Sequence, residues 1–142
     1  MEKRRRAVRQ PARALIGATR ALGALAAFAS VAATACEVPP GTRVESERIA
    51  ISYTTVPAKI AVGQPFVLDL AACPKQGAQL SERIKLDAYM PEHRHGMNYR
   101  TKVDSLGGGR FHSEGWLFHM PGRWEFIFDI GSERLTHSVR VD

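Results

Sequence analysis

The chain has 142 residues, room for one domain, and carries 20 Lys and Arg against 14 Asp and Glu, a formal net charge of +6. Seven of those basic residues and a single acid, Glu2, precede Cys36, so the thirteen basic and thirteen acidic residues that follow cancel. A neutral body without a basic face excludes a nucleic-acid binder.

The basicity belongs to residues 1–35, which begin "MEKRRRAVRQPARALIGATR", continue through an Ala-rich apolar stretch at 21–35, and end in the small residues Ala33, Thr34 and Ala35. A basic region, an apolar region and small residues in that order are the layout of a cleavable secretory signal peptide. The apolar stretch is shorter than the ~20 residues of a membrane-spanning helix and is mostly alanine, which disfavours a permanent anchor. An Arg-rich organelle transit peptide is the alternative. The expected mature domain is therefore 36–142, exported to a periplasmic or other extracytoplasmic space. Two cysteines, Cys36 and Cys73, remain in it. In an oxidising compartment they would pair as a disulfide. Cys36 is also where a lipid anchor would attach, giving a lipoprotein, although "AATA" before it lacks the usual large aliphatic residue.

From Ile49 onward the pattern is short alternating runs punctuated by Gly and Pro, the signature of strands. Ile49, Ile51 and Tyr53 form the first run. Ile60 and Val62 lead into "GQP", and Phe66, Leu68 and Leu70 follow. Ile84, Leu86 and Ala88 alternate with Lys85, Asp87 and Tyr89. Tyr99, Thr101 and Val103 precede the glycine turn at Gly107, Gly108 and Gly109. Trp116, Phe118 and Met120 run up to Pro121-Gly122, which has the composition of a hairpin turn. Trp124, Phe126, Phe128 and Ile130 run away from it, and Leu135, Val139 and Val141 close the chain. Seven or eight strands with one apolar face each require two sheets packed face to face. The expected fold is all-β, an immunoglobulin-like β-sandwich.

Chemistry concentrates in two segments, "YMPEHRHGM" and "FHMPGRW", both at expected strand ends. They hold Met90, His93, His95 and Met97 in one, His119 and Met120 in the other. Side chains two apart in an extended segment share a face, so His93, His95 and Met97 are the core candidates for a metal site. Imidazole with thioether sulfur favours copper, Cu(I) above all, over zinc. Met90, His119 and Met120 are second candidates; Met120 shares parity with Trp116 and Phe118 and is expected in the core, with His119 facing the other way. His112 and His137 stand apart, as surface or structural residues. No carboxylate pair or nucleophile motif indicates an enzyme; the one catalytic alternative is a zinc hydrolase using His93, His95 and His119 with Glu92 as base.

The segments "VGQPF", "MPEHRHGM" and "GGGRFHSEGWLFHMPGRWEFIFDI" together resemble the YtkA-like and FixH-like group of exported bacterial domains. The resemblance covers roughly residues 60–141. It implies an immunoglobulin-like sandwich on the outer side of the bacterial membrane, associated with copper handling and respiratory-oxidase assembly. The Met-Pro-His/Met segment of that group falls on Met90, Pro91, His93, His95 and Met97, and its hairpin segment on Met120, Pro121, Gly122 and Trp124. FixH-like members usually keep a membrane-spanning N-terminus, whereas the leader of this chain is expected to be cleaved. The expectation is a non-enzymatic copper-binding protein whose partners are copper-handling proteins or a membrane or redox complex, with peripheral or lipid-anchored membrane association. The alternative is a metal-free interaction module that docks on such a complex through the loop around His93 and His95.

Overall fold

Side chains alternate between core and solvent along most of the long strands, in a computed structural model that describes Cys36, residues 38–75 and residues 77–142. The expected signal segment, 1–35, lies outside the described residues. The strands are β1 (Thr42–Glu45), β2 (Ile49–Val56), β3 (Pro65–Pro74), β4 (Ile84–Met90), β5 (His95–Gly96), β6 (Lys102–Gly107), β7 (Arg110–Leu117), β8 (Gly122–Ile130) and β9 (Glu133–Val141). They form a five-stranded sheet, β1-β2-β3-β7-β6, and a four-stranded sheet, β5-β4-β8-β9, with every pairing antiparallel. The architecture is the expected immunoglobulin-like β-sandwich.

Two strands exceed the sequence expectation. β1 has one half-buried apolar residue, Val44, and β5 has two residues in all, so neither is long enough to show a period. Ile60 and Val62, by contrast, sit in the loop between β2 and β3 and pack against the core from there.

The core lies between the sheets. Ile51, Tyr53, Leu68 and Leu70 line the five-stranded side, and Leu86, Ala88, Phe126 and Phe128 the four-stranded side. Each fully buried large apolar side chain contributes roughly 1.5–3 kcal/mol of transfer free energy. Aromatic edges interlock across the gap, with Tyr53 at 5.3 Å from Phe126 and Phe66 at 5.1 Å from Phe118, centroid to centroid.

Along β7 the alternation changes phase. Phe111 and Ser113 face inward, and so does Trp116, one residue out of step. The pairing with β3 shows why, because Phe66 lies opposite Trp116 while Leu68 lies opposite Ser113. The extra residue is a β-bulge at Glu114 and Gly115. Gly115 has φ +84°, and a Cβ there would stand 2.6 Å from the Arg100 carbonyl oxygen, so glycine is required on both counts. The bulge turns the Trp116 indole inward, where its N–H donates to the buried Ser113 hydroxyl at 2.9 Å.

Pro121-Gly122 is not a hairpin turn. β7 belongs to one sheet and β8 to the other, so residues 118–121 carry the chain across the sandwich. Phe118, with 0% exposure, is drawn into the space between the sheets, and the chain follows it. Glycine-turned hairpins occur instead at β6–β7, turning at Gly108 and Gly109, and at β8–β9, turning at Gly131 and Ser132.

Cys36 and Cys73 are joined as a disulfide with their Cα atoms 5.5 Å apart, tying the segment before β1 to β3. The same sulfur of Cys36 cannot also carry a thioether lipid. The bonded residues are 37 positions apart, and closing a loop of that size stabilises the fold by about 3–4 kcal/mol. A Cys36→Ser/Cys73→Ser double variant is expected to lose that amount in urea unfolding; unchanged stability would show that the cross-link constrains little.

Candidate metal centre

The first histidine segment is shaped by a tight turn at the end of β4. The Met90 carbonyl accepts the N–H of His93 at 3.2 Å and of Arg94 at 2.9 Å. Arg94 then adopts φ +56°, the left-handed region. The chain returns as β5, with His95 opposite Met90 and Gly96 opposite Tyr89. The segment is thus a turn, and the extended-strand parity expected for His93, His95 and Met97 does not apply to it. The His93 and His95 rings nonetheless stand 5.9 Å apart.

The crossing segment 118–121 supplies the third imidazole. Because Phe118 is anchored in the core, His119 is placed beside β5, and its ring centre lies 5.1 Å from that of His95. His119 is therefore nearer to His95 than His93 is. Trp124 stands edge-to-face with both, at 5.9 Å from His95 and 5.4 Å from His119. Its own N–H donates to the Met120 carbonyl at 3.0 Å, fixing the crossing segment to β8.

Nitrogen chemistry distinguishes these rings. His95 Nδ1 is 2.9 Å from the Gly96 carbonyl oxygen. Donating there keeps the proton on Nδ1 and leaves Nε2 with a free lone pair, the arrangement common in metal-bound histidines. His119 Nδ1 is buried and has no hydrogen-bond partner, a condition that buried polar atoms rarely tolerate. With metal–nitrogen bonds of about 2.0–2.1 Å, two imidazoles on one ion have centroids roughly 5–6 Å apart, and both observed spacings fall in that span. Among the described residues, no three His, Cys, Asp or Glu side chains already form a group able to hold a metal.

The methionines divide by burial. Met90 has 0% exposure and is part of the core. Met97 and Met120 are half-buried at its margin, packed against it; Met120 thereby has the core contact expected from its parity. His93 is exposed, His95 and His119 half-buried. Glu92, considered as a hydrolytic base, is exposed and lies 3.5 Å from Arg123 in an ion pair. In the sequence Trp124 reads as the first apolar residue of a strand; its contact with two imidazoles depends on the chain crossing and has no signal in residue spacing.

His112 and His137 have fixed partners elsewhere. His137 Nδ1 is 2.7 Å from the Tyr53 hydroxyl, and burial pushes the Tyr53 phenol up to about 12. His112 Nδ1 is 2.6 Å from Asp69 Oδ1, and Nε2 is 3.6 Å from Glu114. The hydrogen bond to Asp69 raises the His112 pKa above the ordinary 6.5. The stabilisation from this pair is complete below the ordinary imidazole pKa and is lost as pH rises through the raised value. In an NMR titration, Asp69→Asn should bring the His112 midpoint down toward the ordinary value; an unmoved midpoint would assign the shift to another cause.

Gly122 joins the site to the core. It has φ +130°, and a Cβ on it would lie 2.8 Å from the Met90 methyl carbon. Gly122→Ala therefore has to displace Met90 or the start of β8, and a loss of about 1–3 kcal/mol is expected in thermal or urea unfolding. A neutral effect would mean that Met90 relaxes freely.

Compared with protein-family models, curated proteins and solved structures, the chain matches none of them.

Proposed function

We propose that the domain is an exported, non-enzymatic copper-binding protein that holds Cu(I) at the end of the sandwich where β4, β5 and the crossing segment meet. His95 and His119 supply the central nitrogen pair. His93, exposed at the turn, is the outer ligand, and Met97 or Met120 contributes thioether sulfur. The observation that carries this reading is the 5.1 Å approach of His95 to His119, with the buried, unpartnered Nδ1 on His119. Soft sulfur with imidazole selects Cu(I) over zinc. The resemblance of the two Met-Pro segments to the YtkA-like and FixH-like group supports the same reading and adds copper handling or oxidase assembly outside the cytoplasm as the setting. Copper-handling proteins or a membrane redox complex are the corresponding partners.

The test is anaerobic titration of the purified protein with Cu(I) against a competing chelator, with zinc in parallel. Wild type should bind one Cu(I) tightly and zinc weakly, and Trp124 fluorescence should be quenched as the site fills. His95→Ala and His119→Ala should each weaken Cu(I) binding at least roughly tenfold. Equal, weak binding by wild type and the His95→Ala/His119→Ala double variant would refute the metal reading. A partner lost from pull-down by that variant, with metal content at background throughout, would favour the interaction module instead.

A further inference from the structure

One polar pair joins the two sheets away from the histidine cluster. Along β9, Leu135, Val139 and Val141 face the core, and the inward position between Leu135 and Val139 holds an imidazole, His137. It lies opposite Phe126 on β8. Across the gap, on β2, stands Tyr53, 4% exposed, with its hydroxyl 2.7 Å from His137 Nδ1. A phenylalanine and a leucine would fill these positions with no polar group to desolvate. Tyrosine and histidine instead place hydrogen-bonding groups between the layers.

The gap is open beside this pair. β1 pairs with β2 only as far as Tyr53, and Thr54, Thr55 and Val56 run on past it. A cleft of about 330 Å³ lies there, at the lower end of the roughly 300–1,000 Å³ usual for small-molecule sites. Tyr53 and Phe126 are its most buried lining residues. Ile60 and Val139, half-buried, give it apolar walls, and Thr42 and His137 give it polar ones. Among the described residues, no Asp, Glu, Lys or Arg lines it. A neutral imidazole carries its proton on one nitrogen. If the phenol donates to Nδ1, the Nε2–H remains as a donor; if Nδ1–H donates to the phenol, the phenol O–H remains. Either way the pair keeps one donor for an oxygen inside the cleft.

We propose that this cleft binds a small neutral aromatic molecule bearing one hydroxyl or carbonyl oxygen. Its ring packs against Ile60, Phe126 and Val139, and its oxygen takes the hydrogen bond left by the Tyr53–His137 pair. Apolar walls with one polar corner hold such a molecule by burying the ring and orienting the oxygen. The lining also sets the ligand's charge, since a carboxylate or ammonium entering the cleft would lose water and meet no counter-ion. Burial, which pushes the phenol up to about 12, keeps Tyr53 protonated and therefore neutral as well. The site is independent of the copper reading, because His93, His95 and His119 do not line it.

NMR titration of the disulfide-bonded protein, with chelator present, tests this with para-cresol, toluene and benzoate as probes. In wild type, para-cresol should shift the Ile60, His137 and Val139 resonances and saturate, and benzoate should bind far more weakly. His137→Leu removes the hydrogen bond and keeps the apolar walls. It should lower the preference for para-cresol over toluene roughly tenfold, without lowering the melting temperature. Val139→Phe, which fills the cleft, should weaken para-cresol and toluene alike and keeps the test open if the first variant does not fold. The proposal is overturned if wild type shows no saturable shift at these residues, or if benzoate binds as tightly as para-cresol. An unchanged preference in a folded His137→Leu, or undiminished binding in Val139→Phe, overturns it too.

Discussion

The stack of Phe118 on Trp124 is the contact from which the placement of the clustered histidines follows. The two rings lie 4.5 Å apart and within 8° of parallel, both at 0% exposure. An aromatic pair of this kind adds about 0.5–1.5 kcal/mol beyond the area it buries. Its position matters more than its strength. Phe118 lies where the chain leaves the five-stranded sheet, and Trp124 lies at the start of the opposite sheet, so the stack fixes the path between them. His119, adjacent to Phe118, is thereby carried to β5, and the Trp124 ring contacts His95 and His119 as well.

The histidines of this chain fall into two chemical kinds. His112 and His137 each meet an oxygen partner, Asp69 or Tyr53, that occupies a ring nitrogen and holds the ring in place. His93, His95 and His119 instead neighbour one another, and the one hydrogen bond found in that group, from His95 to Gly96, leaves its other nitrogen free. Imidazole nitrogens without an oxygen partner suit a soft cation when thioether sulfur is at hand. The same residue type thus serves structure on β7 and β9 and gathers as a cluster at one end of the sandwich.

Period-two alternation made the long strands legible before any coordinates. Leu86 and Ala88 in β4, and the Trp124-to-Ile130 series in β8, face the core as read. Three features escaped for identifiable physical reasons. Gly115 inserts a residue that reverses the parity of β7, and a single glycine among polar neighbours gives no periodic signal. Pro121-Gly122 has the composition of a hairpin turn, yet composition does not say whether the flanking strands pair with each other or with different sheets. The left-handed Arg94 abolished the face shared by His93 and His95 while leaving the rings close. The candidate residues themselves were readable as soft ligands near strand ends. The approach of His119 to His95 was not, because it is set by the tertiary path through Phe118.

β5 has a consequence beyond the histidine cluster. It pairs with β4 at Tyr89 and Met90, and among the described residues no strand pairs with Ile84 to Ala88 on that side. An uncovered flat edge is a template for strand addition by another chain and a starting point for aggregation. Here the Thr101 hydroxyl donates to the Leu86 carbonyl at the middle of that edge, occupying an acceptor that an incoming strand would use. Thr101, in the segment that joins β5 to β6, therefore guards the sheet edge, and a change that moves this segment away would risk solubility.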